Sequence, residues 1–105
     1  MIHLDVIAEI KPEKKTEFLL TINQIIDELK KNILNNNIKT TLLSENENLF
    51  NARFSLPREN DYDKFCISEE YAALTGSLKI LCNSYSIEST KSLNNHSILL
   101  AKETK

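Results

Sequence analysis

Two short stretches of this 105-residue chain carry side chains able to hold a small organic molecule. The first is LFNARFSL at 49–56, where Asn51 and Arg53 stand two residues apart. In a strand that spacing puts both on one face, because successive side chains alternate. A guanidinium is a permanent cation with a planar fork of donors, so the pair suits an anionic oxygen of a small organic ligand. A solvated strand face, or ion pairs across a dimer, would use the same residues. The second stretch holds Tyr62, Phe65 and Tyr71. Aromatic rings with hydroxyls beside them match a flat organic ligand. Ordinary core packing accounts for the same rings, and for Phe65 above all. His3 is the third candidate. It shares a strand face with Asp5, and a His–Asp couple can move a proton near neutral pH. A His at a strand end also fits a plain surface or interface. His96, in the tail, is a weaker candidate of the same kind.

Other chemistries find no residues to carry them. No set of His, Cys, Asp and Glu has metal-ligand spacing. The single glycine, Gly76, lies inside a helical pattern and cannot build a phosphate-binding loop. The sequence therefore predicts no metal and no cofactor. Cys66 and Cys82 form no CxxC pair, and they are expected to be reduced thiols packed as small hydrophobes. Thirteen Lys and Arg against fifteen Asp and Glu give a net charge of −2, with no basic stripe to displace counterions from a nucleic acid. The longest apolar runs fall far short of the roughly 20 residues of a spanning helix. MIHLDVIAEI carries Asp5 within its apolar stretch and lacks a basic start, so it does not read as a signal peptide. A soluble, cytoplasmic protein, with no membrane and no nucleic-acid partner, is the expectation.

The elements that must position these residues follow from periodicity. Residues 2–10 alternate: Ile2, Leu4, Val6, Ala8 and Ile10 face one way, and His3, Asp5, Ile7 and Glu9 the other. Pro12 ends that strand and suits the first turn of a helix, where its missing N–H costs nothing. Over 13–34, Phe18, Ile22, Ile25, Ile26, Leu29 and Ile33 make one apolar stripe. Asn35, Asn36 and Asn37 are expected to close this helix, since Asn tolerates the left-handed conformation. Strands are predicted at 38–44 and 49–56, joined as a hairpin by ENEN, with Pro57 stopping the ladder. A short helix around Tyr62–Phe65 leads to a second one, capped by Ser68 and running to about Leu81. Gly76 inside it predicts close packing of helix on sheet. Residues 84–90 make a fourth strand. In the tail, Ile98, Leu99 and Leu100 are expected to pair with a sheet edge, of the same chain or of a partner.

This order gives one domain over 1–105, with its core at about 1–90 and a tail at 91–105. It is an α+β, ferredoxin-like β-α-β-β-α-β plan: an antiparallel sheet with both helices on one face. The other face, expected to be apolar and bare, predicts a homodimer built back to back around a two-fold axis.

The segments 7–31 (IAEIKPEKKTEFLLTINQIIDELKK) and 68–81 (SEEYAALTGSLKIL) resemble two blocks of the antibiotic biosynthesis monooxygenase (ABM) family, and SYSIEST at 84–90 is similar to its closing strand. The resemblance covers about residues 1–90. It implies a dimeric α+β barrel and the activity of the family's better-known members, cofactor-independent oxygenation of quinols and polyketide aromatics. Relatives of those members degrade haem. Such members commonly use a Trp at the end of the third strand, a His before the second helix and an Asn on the sheet. Those positions fall at about Leu56, Phe65 and Ile7–Ala8 here, and the chain has no Trp, so haem degradation is not expected. Two functions remain. One is a cofactor-free monooxygenase acting on a quinol or other aromatic small molecule, whose anion gives an electron to O₂ in a site that excludes water. The other is a non-catalytic dimer, small-molecule-binding or structural, that lacks the family's active-site residues. A more distant third is a partner-binding module using the tail as an added strand.

Overall fold

The computed structural model describes residues 1–34, 38–44 and 48–105. Strand β1 (Ile2–Ile10) leads through a 3-10 turn at Pro12–Lys14 into helix α1 (Lys15–Leu29), which ends in a π turn at Lys30–Leu34. Strands β2 (Ile38–Ser44) and β3 (Leu49–Leu56) follow, then helices α2 (Glu59–Cys66) and α3 (Glu69–Leu81), then strands β4 (Cys82–Leu93) and β5 (His96–Thr104). The expected cap at 35–37, the turn at 45–47 and the side chain of Ile33 lie outside what is described.

The sheet order is β2-β3-β1-β4-β5, with every neighbouring pair antiparallel. The first four strands are the ferredoxin-like plan read from the sequence. The fifth is the tail, which pairs with β4 of its own chain. Asn94 and Asn95 join the two, both with positive φ, 47° and 69°. Two left-handed residues between strands form the turn whose twist matches a hairpin, and Asn enters that conformation cheaply. β4 therefore runs past both ends of the predicted 84–90, since β1 pairs with one of its edges and β5 with the other.

The apolar alternation of β1 points at the helices. Ile2, Leu4, Val6, Ala8 and Ile10 are buried against Phe18, Ile22 and Leu29 of α1 and Leu74, Leu78 and Leu81 of α3, in one core cluster with Phe50, Phe54 and Leu56 of β3. Phe18 meets Phe50 edge to face, with ring centroids 5.1 Å apart. The Ser68 cap forms as predicted: its Oγ accepts from Tyr71 N at 3.1 Å and donates to Phe65 O at 2.6 Å. That hydroxyl thus ties the end of α2 to the start of α3.

Two expectations are corrected. A Cβ built on Gly76 would meet nothing within 4 Å, so this glycine does not serve close packing on the sheet. And the face of the sheet away from the helices is largely polar. The register sets His3, Asp5, Ile7 and Glu9 opposite Ser55, Arg53, Asn51 and Leu49 on one side, and opposite Thr90, Glu88, Ser86 and Ser84 on the other. Ile7 stands out there as an exposed large apolar residue. Strict alternation on β1 and β3 sends most of the apolar side chains inward, which leaves the outer rows to hydroxyls, an amide and charges.

Candidate functional site

The helix-facing side of the sheet has two halves. Under α1, on β1 and β3, it is apolar. Along β4 it turns polar: Tyr85 and Ser89 flank Ile87 in the inward row, and Glu103 of β5 sits opposite Ile87. From above, α2 brings Tyr62, Phe65 and Cys66, three side chains that share one face at i, i+3 and i+4. α3 brings Tyr71, held one turn from its start by the Ser68 cap.

These groups converge. Phe65 is fully buried, its ring 5.6 Å from that of Phe54 and 5.1 Å from that of Tyr71. Tyr62 is half-buried and interacts through its hydroxyl with Ser89 and with the Cys66 thiol. The Tyr85 hydroxyl donates to Glu103 Oε1 at 3.2 Å. Burial raises the pKa of Tyr62, Tyr85 and Cys66, since water no longer stabilises the charged forms. Tyr71 is pushed up to about 12, by burial first and then by the negative charge of Glu103. At neutral pH the tyrosines and the thiol are therefore protonated. None of them can take a proton from a ligand, and since Tyr85 gives its own to Glu103, Tyr71 is the phenol whose proton a ligand oxygen could accept.

Tyr62, Phe65 and Tyr71, singled out in the sequence, are thus brought together, with Phe65 as part of the core beneath the two hydroxyl-bearing rings. His3, Asn51 and Arg53 lie on the opposite face of the sheet and form a separate group. Arg53 uses its fork within its own chain: Nε reaches Asp5 Oδ1 at 2.7 Å and Nη2 reaches Asp5 Oδ2 at 3.1 Å. That hydrogen bond and charge raise the Arg53 pKa further. His3 Nδ1 is hydrogen-bonded to Ser55 Oγ at 3.0 Å, so its close partner is that serine. The His3 pKa is lowered, chiefly by burial and then by the Arg53 charge, with Asp5 acting the other way. Asn51 is half-buried, opposite Ile7. Among the described residues, no group of three His, Cys, Asp or Glu side chains comes close enough to hold a metal ion.

Sequence reasoning missed Tyr85, Ser89 and Glu103. The alternation of SYSIEST would have put Tyr85, Ile87 and Ser89 on one face, but nothing said that this face meets the tyrosines. Glu103 had no signal, because the edge pairing expected of Ile98, Leu99 and Leu100 set no register as far as 103. Sequence reasoning also missed a groove of about 370 Å³ between α1 and α3, lined by Thr21, Gln24, Glu28, Glu69, Glu70 and Ser77 among others. Gly76 lines a second hollow beside Ser77 on the same seam, which accounts for the open space around it.

The sequence matches no family model and no curated protein. The fold, in contrast, has many counterparts. A crystal structure of an antibiotic biosynthesis monooxygenase superposes with a TM-score of 0.69 at 12% identity, covering 89% of this chain and 99% of that one. This chain has the fold of that family. Several further solved structures carry the family's name. A conserved protein from Methanosarcina mazei Go1 superposes with a TM-score of 0.72 at 18% identity, over 88% of this chain and 92% of its own. A NIPSNAP family protein from Agrobacterium tumefaciens has a TM-score of 0.61 at 16% identity, over 89% and 93%. At identities this low, what the superpositions show is a shared ABM-like fold.

Proposed function

We propose that this protein is an ABM-like homodimer that binds a hydroxylated aromatic molecule, a quinol or a near relative, at the tyrosine cluster and oxygenates it without a cofactor. The observation that carries the reading is the convergence of Tyr62, Cys66, Tyr71 and Tyr85 on the polar half of an otherwise apolar helix–sheet interface. The protonated Tyr71 phenol donates to a ligand oxygen, and the surrounding rings and aliphatic side chains exclude water. In this chemistry an ionised quinol gives an electron to O₂. One oxygen atom becomes a hydroxyl on a ring carbon and the ring goes to the quinone level. The second oxygen leaves as water, so four electrons pass from the quinol to O₂.

A second reading is binding without turnover. It is supported by Leu56 and Phe65, both fully buried core residues at the positions where the resemblance puts a Trp and a His. An oxygen electrode with a small quinol panel, run beside equilibrium binding, separates the two. Oxygen uptake with a hydroxyquinone product supports oxygenation. Saturable binding without uptake supports the second reading, and neither outcome at millimolar quinol refutes both. Haem with a reductant is expected to persist, and loss of its absorbance band would overturn the reading of Leu56 and Phe65.

Under this reading the protein is one domain over 1–105, and it works as a dimer through the open sheet face, where Ile7 is 51% exposed. Light scattering at micromolar concentration tests this, and a monomer contradicts it. A cytoplasmic setting fits the two free thiols, Cys66 and Cys82. No helix among the described residues is long and apolar enough to cross a membrane.

A further inference from the structure

Building on the oxygenation reading, we infer that Glu103 of β5 is the group that takes the proton from the substrate hydroxyl. Four observations converge on it. First, the register puts Glu103 on the helix-facing side of the sheet, opposite Ile87 and in the row next to Tyr85. Among the described strand residues, no other Asp or Glu shares that side. Second, it is the one β5 side chain that is not exposed, so the strand delivers this group inward and leaves the rest to solvent. Third, one carboxylate oxygen, Oε1, accepts the Tyr85 hydroxyl, which fixes the rotamer and leaves Oε2 without a hydrogen bond among the described residues. Fourth, its charge acts on both Tyr71 and Tyr85, which locates it within the cluster.

Glu103 is the one carboxylate that the sheet itself brings to the cluster; Asp63 of α2 acts on Tyr62 and Cys66 by its charge from the helix side, and Asp63→Asn, expected to keep its turnover, is the control. Tyr62, Tyr71, Tyr85 and Cys66 hold their own protons at neutral pH. Lys91, farther along β4, is paired with Glu59 of α2, which ties up that carboxylate as well. His3 and Asp5 are on the far side of the sheet, paired with Ser55 and Arg53. The step is a plain transfer. The substrate O–H bond breaks, its proton goes to a Glu103 oxygen, and the electron pair stays on the substrate oxygen. The anion then reacts with O₂, and the carboxyl proton is returned to the oxygen that leaves as water. β5 is thereby a working part of the site, since it contributes the acceptor.

The test uses Glu103→Gln and Glu103→Asp in the full chain, with oxygen uptake, quinol binding and the pH profile of kcat/KM measured for each. Glu103→Gln keeps the hydrogen-bond acceptor and the size but cannot take a proton. Its kcat is expected to drop about a hundredfold or more, the usual share of a general base, with the quinol Kd within about threefold of wild type and the acidic limb of the profile gone. Glu103→Asp restores a carboxylate, and both the limb and most of the rate are expected to return. A circular dichroism spectrum like that of wild type establishes folding. If Glu103→Gln does not fold, Glu103→Ala takes its place, and turnover within threefold of wild type overturns the assignment. Turnover of Glu103→Gln within threefold of wild type overturns the assignment and leaves the oxygenation reading standing. A wild type that binds quinol without consuming oxygen overturns that reading, and the assignment falls with it.

Discussion

Truncating Phe65 separates a core ring from a ligand wall. The ring is fully buried and touches those of Phe54 and Tyr71. Phe65→Ala removes most of the side chain's transfer free energy, about 2 kcal/mol, and leaves a cavity on the order of 100 Å³ that adds about 2 kcal/mol more. The total, about 4 kcal/mol, is a large part of the stability of a domain this small. With a urea m-value of about 1.5 kcal/mol/M, the unfolding midpoint should fall by roughly 2.5 M. Phe65→Leu fills much of the space and should cost about 1.5 kcal/mol or less, which keeps a folded protein available for binding measurements. Urea unfolding followed by circular dichroism reads both variants. A midpoint for Phe65→Ala within about 0.5 M of wild type, together with a large loss of quinol affinity, would refute the core assignment and return Phe65 to the ligand.

Three further outcomes are expected. Gly76→Ala should stabilise the protein by about 0.5–1 kcal/mol, because helix propensity improves and the new methyl meets open space; a loss of stability in thermal unfolding would contradict that geometry. His3 titrates below its ordinary value of 6.5, so the unfolded chain binds the extra proton first. Its contribution to stability is complete above pH 6.5 and is lost as pH falls from there, and His3→Gln should remove that part of the pH dependence of the urea midpoint. Cys82 is pushed up to about 11 by burial, so its alkylation by iodoacetamide at pH 8 should be slow in the native protein and fast in urea; rapid native labelling of Cys82 by mass spectrometry would show that the strand start at Cys82 is open.

The fold was legible where a single period runs long enough. β1, β2, β3 and α1 came from alternation or a stripe, and Ser68 announced the α3 cap through its type and the two Glu residues after it. β5 was legible only as an edge pairing of Ile98, Leu99 and Leu100, which forms on β4 of the same chain; its bounds and register were not, for a physical reason. It alternates poorly, because Ile98, Leu99 and Leu100 are consecutive and nearly all its side chains are exposed. The sign it did give was Asn94–Asn95, two residues that accept left-handed backbone between two runs, and these mark a hairpin. Reading them so would have extended β4 to Leu93 and supplied β5. The site followed the same rule. Tyr62, Phe65 and Tyr71 lie within ten residues and were grouped from sequence, while Glu103 enters through a register that only the hairpin sets. Arg53 was recognised as an anchor, but its partner could not be, since Asp5 is 48 residues away and reaches it only once β1 and β3 pair.

The composition of the β4 row is hard to explain by stability alone. Val or Leu at 85 and 89 would continue the core that Ile87 belongs to, with no hydroxyl to satisfy. A buried hydroxyl that is hydrogen-bonded adds about 1 kcal/mol, and one that is not costs about 1–3 kcal/mol. Tyr85 meets that requirement by donating to Glu103, and Glu103 comes inward from a strand whose other side chains all face solvent. Burial first, and then the charge of Glu103, raises the pKa of Tyr71 and Tyr85 and keeps both protonated. Under the proposed oxygenation, the protonated Tyr71 is the donor and Glu103 the acceptor that a neutral, hydroxylated ligand requires on its way to becoming an anion. The Arg53–Asp5 pair on the opposite face offers no such asymmetry, since each charge already answers the other.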